Sequence, residues 1–321
     1  MSEMSARMAS MGDPVVLIYD EQCAAYAASG HPERPQRVLS SAARLRKQTK
    51  ISFEWHAPRL APREAILRAH RLAHHDAVAT QNQAFDEDTP SHEGIYHHAL
   101  RAAGGAMDAM THATGGKKAF SLLRPPGHHA TPERAMGFCY FNSMGIAVLE
   151  AVHQKGLRVA VFDFDVHHGN GTEEMLLGCP ETLFVSVHQS PSYPGTGLVH
   201  RPPNARNYPI KPHTEAKNHR AALLRALEDV HAFQPDLVGV SAGFDAYRLD
   251  PLAQASLEIE DYLWIGEQVA LLPSPAFAIL EGGYSEDLGQ LVEAFLLGWS
   301  TSAGANMDPQ GSNLQPTMKT R

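Results

Sequence analysis

The sequence predicts an α/β fold in three layers, with helices on both faces of a mostly parallel central sheet, and three observations carry that prediction. Short apolar runs recur between turn residues, segments of helical period alternate with them, and polar, glycine-containing stretches follow four of the runs. Strands buried on both faces read as such runs, and parallel neighbours need a crossover helix between them. Open sheets of this kind bind ligands beyond the carboxyl ends of their strands, which is where the polar stretches fall.

In chain order, strands are expected at 15–19, 119–123, 159–162, 183–187, 237–241 and 276–280, each a short apolar run closed by turn residues. Helices are expected at about 35–48, 62–79, 95–113, 143–154, 214–233, 256–272 and 285–299, where apolar residues recur at helical spacing among helix formers. Pro35 suits the first turn of the 35–48 segment. No linker-like stretch, internal repeat or low-complexity tract divides the middle of the chain, so 14–300 reads as one domain. Residues 1–13 and the Ser-, Gly-, Asn-, Gln- and Pro-rich 301–321 are expected to be disordered.

Of the 321 residues, 43% are hydrophobic and 19% charged, ordinary values for a globular chain with a sizeable core. The formal net charge of −8 argues against nucleic acid, whose binders carry a basic face, and favours a cationic or neutral partner. Cys23, Cys139 and Cys179 are widely spaced and form no CxxC pair, so neither a disulfide framework nor a thiolate zinc site is indicated. The first residues lack the features of a secretory signal, and no run of about 18 apolar residues is present to span a bilayer. A soluble, cytoplasmic protein is expected. Histidine is the outlier in composition, with 19 residues and doublets at 74/75, 97/98, 128/129 and 167/168.

Asp163, Asp165 and His167 follow the 159–162 strand at a spacing of two. If the backbone stays extended, alternate side chains share a face and all three converge just past the strand. Asp245 follows the 237–241 strand, while RPPGHHA (124–130) and EGGY (281–284) follow those at 119–123 and 276–280. In a parallel sheet these four loops leave at one edge and meet in one crevice. Asp165, His167 and Asp245 then offer two carboxylate oxygens and an imidazole nitrogen. Three protein ligands with an open position is the pattern of a catalytic zinc site, and the same donors suit Fe(II). Singly, each is more simply a strand-end acid or a loop histidine; clustering behind an apolar strand favours the metal.

His128 and His129 follow the stiff Pro125-Pro126-Gly127 turn, and an imidazole with a reference pKa of about 6.5 can take a proton from a metal-bound water and return it. Asp163 and Asn170 suit as partners for the second ring nitrogens. Tyr284, behind Gly282 and Gly283, can donate its hydroxyl to an oxygen gaining charge, although a packed core tyrosine is an equally good reading. On residue type alone, 31–35 reads as a turn into a helix, and Phe138, Tyr193 and Leu252 as core. His74, His75, His97, His98, His153, His213, His219 and His231 read as solvated or structural.

In the order HPERP (31–35), RPPGHHA (124–130), GFCYFN (137–142), DFDVHHGNGT (163–172), PGTG (194–197), AGFDA (242–246) and EGGY (281–284), the chain resembles the zinc-dependent histone deacetylases. The likeness is to their class II-like branch, which includes bacterial relatives and the acetylpolyamine amidohydrolases, and it spans 15–299. It implies the arginase/deacetylase fold with its active site at the carboxyl ends of the strands. It implies removal of acetyl, or another short acyl group, from acyl-lysine by metal-activated water. Asp165, His167 and Asp245 are then Zn2+ ligands, His129 the general base, His128 an electrostatic partner or acid oriented by Asp163, and Tyr284 the group that polarises the carbonyl. Asn170 stands where other branches pair an Asp with the second histidine. The resemblance further implies K+ beneath the zinc, held by Asp163, Asp165, His167, Ser186 and Val187. A narrow tunnel is implied between Phe138 and Tyr193, with Gly137 in its wall and Leu252 at its rim.

The alternative substrate is an acetylated polyamine. Relatives selective for polyamines often carry an acid near the position of Leu252, so Leu252 favours acetyl-lysine in peptides or proteins. Asp86, Glu87, Asp88 and Glu93 nonetheless offer negative charge near the mouth. Retention of every reacting residue argues against a catalytically silent acyl-lysine binder, and ureohydrolase chemistry at two manganese ions would need further acids.

Overall fold

The computed structural model describes residues 13–300. Among them, eight strands form one sheet: β1 Val15–Ile18, β2 Phe53–His56, β3 Ala119–Ser121, β4 Val159–Asp163, β5 Thr182–Gln189, β6 Ala205–Ile210, β7 Leu237–Ala242 and β8 Ala276–Leu280. Their order is β2-β1-β3-β8-β7-β4-β5-β6, and every neighbouring pair is parallel. The helices are α1 Gln36–Lys47, α2 Arg63–Ala69, α3 Leu72–Thr80, α4 Ile95–Thr114, α5 Ser143–Lys155, α6 Asn170–Leu176, α7 Ala216–Phe233, α8 Ile259–Ala270 and α9 Leu288–Ser300. The disorder expected of 1–13 and 301–321 falls, Asp13 apart, outside the described residues.

The alternation of side chains along β3 shows how the layers form. Ser121 and Leu123 meet α4 where Gly105 lets the helix approach, while Phe120 points the other way onto Phe295 of α9, ring centroids 6.2 Å apart. On that second face Phe164, Phe244, Phe295 and Trp299 build an aromatic cluster, and α8 lies against α9 at Gly266. Apolar burial on both faces is what the continuous runs of β1, β4, β7 and β8 require, and all of their residues are buried.

The six expected strands are present, and two further ones, β2 and β6, lie at the two edges of the sheet. An edge strand is partly wet, so it need not be an apolar run: β2 reads Phe-Glu-Trp-His, and β6 carries Pro209, which only an edge tolerates. The helix expected over 62–79 is two. His70 and Arg71 leave helical geometry because the Arg71 N–H donates to Pro132 O at 2.8 Å and the His70 ring bridges Thr131 O at 3.0 Å and Asn142 N at 2.9 Å. Helix α6 is a further addition. Helix α8 starts three residues later than expected, behind a reciprocal cap between Glu258 and Asp261. Among the described residues no helix is long and apolar enough to cross a membrane.

Candidate active site

The loops after β3, β4, β7 and β8 meet at one edge of the sheet. Asp165 and His167 come from the loop after β4 and Asp245 from the loop after β7, and one donor atom of each lies within 4.8 Å of the others, all three residues being buried. Nδ1 of His167 faces Asp245 Oδ2 at 3.0 Å and Asp165 Oδ1 at 3.2 Å. The remaining oxygens are tied down: Asp165 Oδ2 accepts from Gly282 N at 2.7 Å and Asp245 Oδ1 from Val166 N at 2.9 Å. A Cβ at Gly282 would sit 2.1 Å from Asp245 Oδ2 and 2.5 Å from Asp165 Oδ2, so only glycine fits against the pair.

The expectation that Asp163 converges with Asp165 and His167 is corrected. β4 ends at Asp163 and the backbone then leaves the extended form, so Asp163 turns to a different pair of partners. Its Oδ1 accepts from Asp165 N at 3.1 Å and its Oδ2 from the His128 ring at 3.1 Å. In the sheet register Asp163 stands beside Ser186, while the Ser186 hydroxyl contacts His188 Nδ1 at 2.9 Å and Val187 is buried next to it.

Two buried carboxylates about one open point repel each other unless a cation lies between them. Here the imidazole stands in for it: burial opposes charge on His167, but Asp245 and Asp165 raise its pKa well above the usual histidine value. The donor set therefore fits a divalent metal ion in three-ligand coordination.

His128 and His129 lie side by side, ring centroids 4.0 Å apart, in different electrostatic settings. Burial disfavours a charged His128, yet Asp165 and Asp163 outweigh it and push the pKa up to about 10. Burial and the positive neighbours His128 and His167 hold His129 well below the ordinary histidine range. Its Nδ1–H donates to Asn170 Oδ1 at 2.8 Å, an uncharged partner that fixes the tautomer without drawing a second proton, so Nε2 keeps a free lone pair.

Tyr284 is buried, and nearly every polar backbone group leading to it is claimed by another part of the site. Glu281 N donates to Ala242 O at 2.9 Å, Phe244 N to Gly282 O at 3.1 Å, and Tyr284 N to Asp250 Oδ2 at 2.6 Å. Arg37 donates to Gly283 O at 2.7 Å and to Glu281 O, with its guanidinium 4.7 Å from the Tyr284 ring centroid. The Glu281 side chain reaches back to accept from Gly127 N at 2.7 Å and His128 N at 3.1 Å. Asp250, Arg37 and the side-chain role of Glu281 were not singled out from sequence, and no periodicity or spacing marks them. The segment 31–35 also does more than turn into α1. Glu33 forms a buried two-pronged pair with Arg124, both contacts 2.6 Å, and these brace the start of the loop that carries the histidines.

Above the floor lies a cavity of about 360 Å³. His129, His167 and Tyr284 open into its base, Gly137, Phe138 and Tyr193 form its walls, and His31, Pro32, Asp88 and Leu252 its mouth. Tyr193 stands edge-on to His129 at 5.0 Å, and Phe138 edge-on to Tyr284 at 5.7 Å. Gly137 has φ +56°, and a Cβ there would press on His129 at 2.7 Å and Tyr193 at 2.8 Å. Phe138, Tyr193 and Leu252 thus line a cavity rather than filling the core. Of the four acids expected near the mouth, Asp88 lines it.

Residues 31–298 match the model of the histone deacetylase domain. A probable deacetylase of Methanothermobacter thermautotrophicus is 34% identical over 88% of this chain and 90% of its own length. Acetylpolyamine amidohydrolase 1 of Pseudomonas aeruginosa is 35% identical over 63% of this chain and 61% of its own. Among solved structures, the HDA15 HD domain superposes with a TM-score of 0.83 at 31% identity, covering 88% of this chain and 90% of that one.

Proposed function

The chain belongs to the histone deacetylase family, and from its site we propose a zinc-dependent deacetylase that takes acetyl, or another short acyl group, from acyl-lysine side chains and releases acetate and a free amine. One observation carries this reading: His167, whose Nδ1 meets both Asp165 and Asp245, lines a single aromatic-walled cavity together with His129 and Tyr284. When bound by those three residues, the metal supplies Lewis acidity and a water made acidic enough to attack at neutral pH.

The chain's own residues do the rest. Phe138 and Tyr193 hold four methylenes between their rings without asking for hydrogen bonds, which suits a lysine stem. His129, neutral and oriented by Asn170, takes the proton of the attacking water at Nε2. His128, held charged by Asp163 and Asp165, stabilises the negative charge that builds during attack and can return a proton to the departing amine. The Tyr284 hydroxyl donates to the former carbonyl oxygen as that charge develops. Beneath them the adjacency of Asp163 and Ser186 on β4 and β5 supports a monovalent cation, K+ in this reading, with Val187 at the same level.

An acetylated polyamine is the second reading, favoured by Asp88 at the mouth and by the net charge of −8. Leu252, apolar and also lining the cavity, favours a peptide. Acetate release from an acetyl-lysine peptide and from acetylated spermidine and putrescine, with the metal-stripped protein reloaded with Zn2+ or Fe2+, tests both. Faster turnover of the peptide with Zn2+ is expected. Preference for the polyamines replaces the first reading by the second, and no release from any substrate removes both.

A further inference from the structure

We propose that Asp250 is a positioning residue for Tyr284 that ties the rim of the tunnel to the loop carrying the donor hydroxyl. It rests on the hydrolase reading above. Asp250 is buried, and each of its carboxylate oxygens accepts one backbone N–H: Oδ1 from Leu252 at 3.0 Å, Oδ2 from Tyr284 at 2.6 Å. Leu252 and Tyr284 both line the same cavity, so one side chain joins two separate segments of its lining.

The need for it follows from the chain at 281–284. Gly283 has φ +116°, a region that gives the segment no intrinsic preference for one path, so the direction of Tyr284 is set by what holds the backbone. Arg37 holds the carbonyls of Glu281 and Gly283, Asp165 holds the N–H of Gly282, and only Asp250 holds that of Tyr284. Removing it leaves a buried N–H unpaired and frees the last link before the ring, which displaces the hydroxyl rather than the metal ligands.

The test compares kcat and KM on an acetyl-lysine peptide for the wild type, Asp250→Asn, Asp250→Ala, Tyr284→Phe and the Asp250→Ala/Tyr284→Phe double variant. Backbone hydrogen exchange over 282–287 is followed in parallel. Asp250→Ala is expected to lower kcat about 100-fold, the cost of a misplacement of about 1 Å, with a much smaller change in KM. Asp250→Asn, which keeps one acceptor oxygen, falls in between. In the Tyr284→Phe background Asp250→Ala is expected to cost nothing more in kcat, because its target hydroxyl is already gone.

An equal loss in both backgrounds would mean a general brace and would overturn the proposal, as would unchanged kcat. If Asp250→Ala does not fold, Asp250→Asn decides: faster exchange at 282–287 with lowered kcat supports the link, and no change in either sinks it. A wild type that releases no acetate overturns the hydrolase reading itself. The exchange measurement would still report whether Asp250 holds the Tyr284 amide.

Discussion

The floor of the cavity and its mouth are held in different ways. At the floor, Asp165, Asp245 and Glu281 accept backbone N–H groups from neighbouring loops and Asp163 from its own, while Glu33, Arg37 and Arg124 brace those loops. Toward the mouth, the wall residue Tyr193 is 37% exposed and Leu252 38%, and His31 meets Asp88 only through a backbone carbonyl at 3.1 Å. Chemistry that depends on donors placed within fractions of an ångström is built where charged side chains fix the backbone. In the proposed reading, choice of substrate falls to the exposed side chains at the mouth.

The strongest way to break the contrast is to remove a floor residue. Asp245→Ala is expected to lower deacetylation by more than about 10³-fold, beyond the cost of one lost oxyanion donor, with metal content falling alongside activity. Elemental analysis and turnover of the same sample check it, and near-normal activity would refute the assignment. Tyr284→Phe is expected to lose roughly 10²- to 10³-fold in kcat while metal content and melting temperature stay near wild type.

Acid should loosen the frame around His70, where helices α2 and α3 part. His70 accepts the Asn142 N–H at Nε2 and must be neutral to do so, and burial brings its pKa down to about 3. An unfolded histidine titrates near 6.5, so below that pH the unfolded chain binds a proton that the folded chain refuses. The stability contributed is complete above about 6.5 and is lost as pH falls toward 3, roughly 2 kcal/mol from this one residue at pH 5. Urea titrations of metal-free protein at pH 7 and pH 5 should show the loss, and His70→Gln should shrink it; equal midpoints would contradict the reading.

The smallest effect sharpens the comparison from the other side. Asp88→Asn at the mouth is expected to lower kcat/KM for acetylspermidine by about fivefold, the value of one exposed charge pair of about 1 kcal/mol, and to leave a neutral acetyl-lysine peptide nearly unchanged. Equal losses on both substrates would place Asp88 in the frame instead of in substrate choice.

The sequence made the centre of the molecule legible and its margins not. Runs such as 159–162 and 276–280 are apolar throughout because both faces of those strands are covered, and the polar residues that follow such runs stand out by contrast. That is why Asp165, His167, Asp245, His128, His129 and Tyr284 stand out as candidates from residue type and placement, with the order of the motifs adding Phe138, Tyr193 and Leu252, which line the cavity. Strands β2 and β6 passed unseen because edges are half wet, and the break at His70 because it is caused by Thr131, Pro132 and Asn142, far along the chain.

By itself, then, the sequence determined that the sheet is parallel and which polar residues follow its strands as candidates for the chemistry, since burial pattern and residue type are local properties. Only the tertiary structure decided that Asp163 stands apart from the metal donors, that Asp250 reaches both Leu252 and Tyr284, and that Glu33 and Arg124 can be buried together. Each of those depends on a hydrogen bond between groups remote in sequence or on a bend in the backbone, and the free energy of such contacts exists only once the fold has brought the partners together.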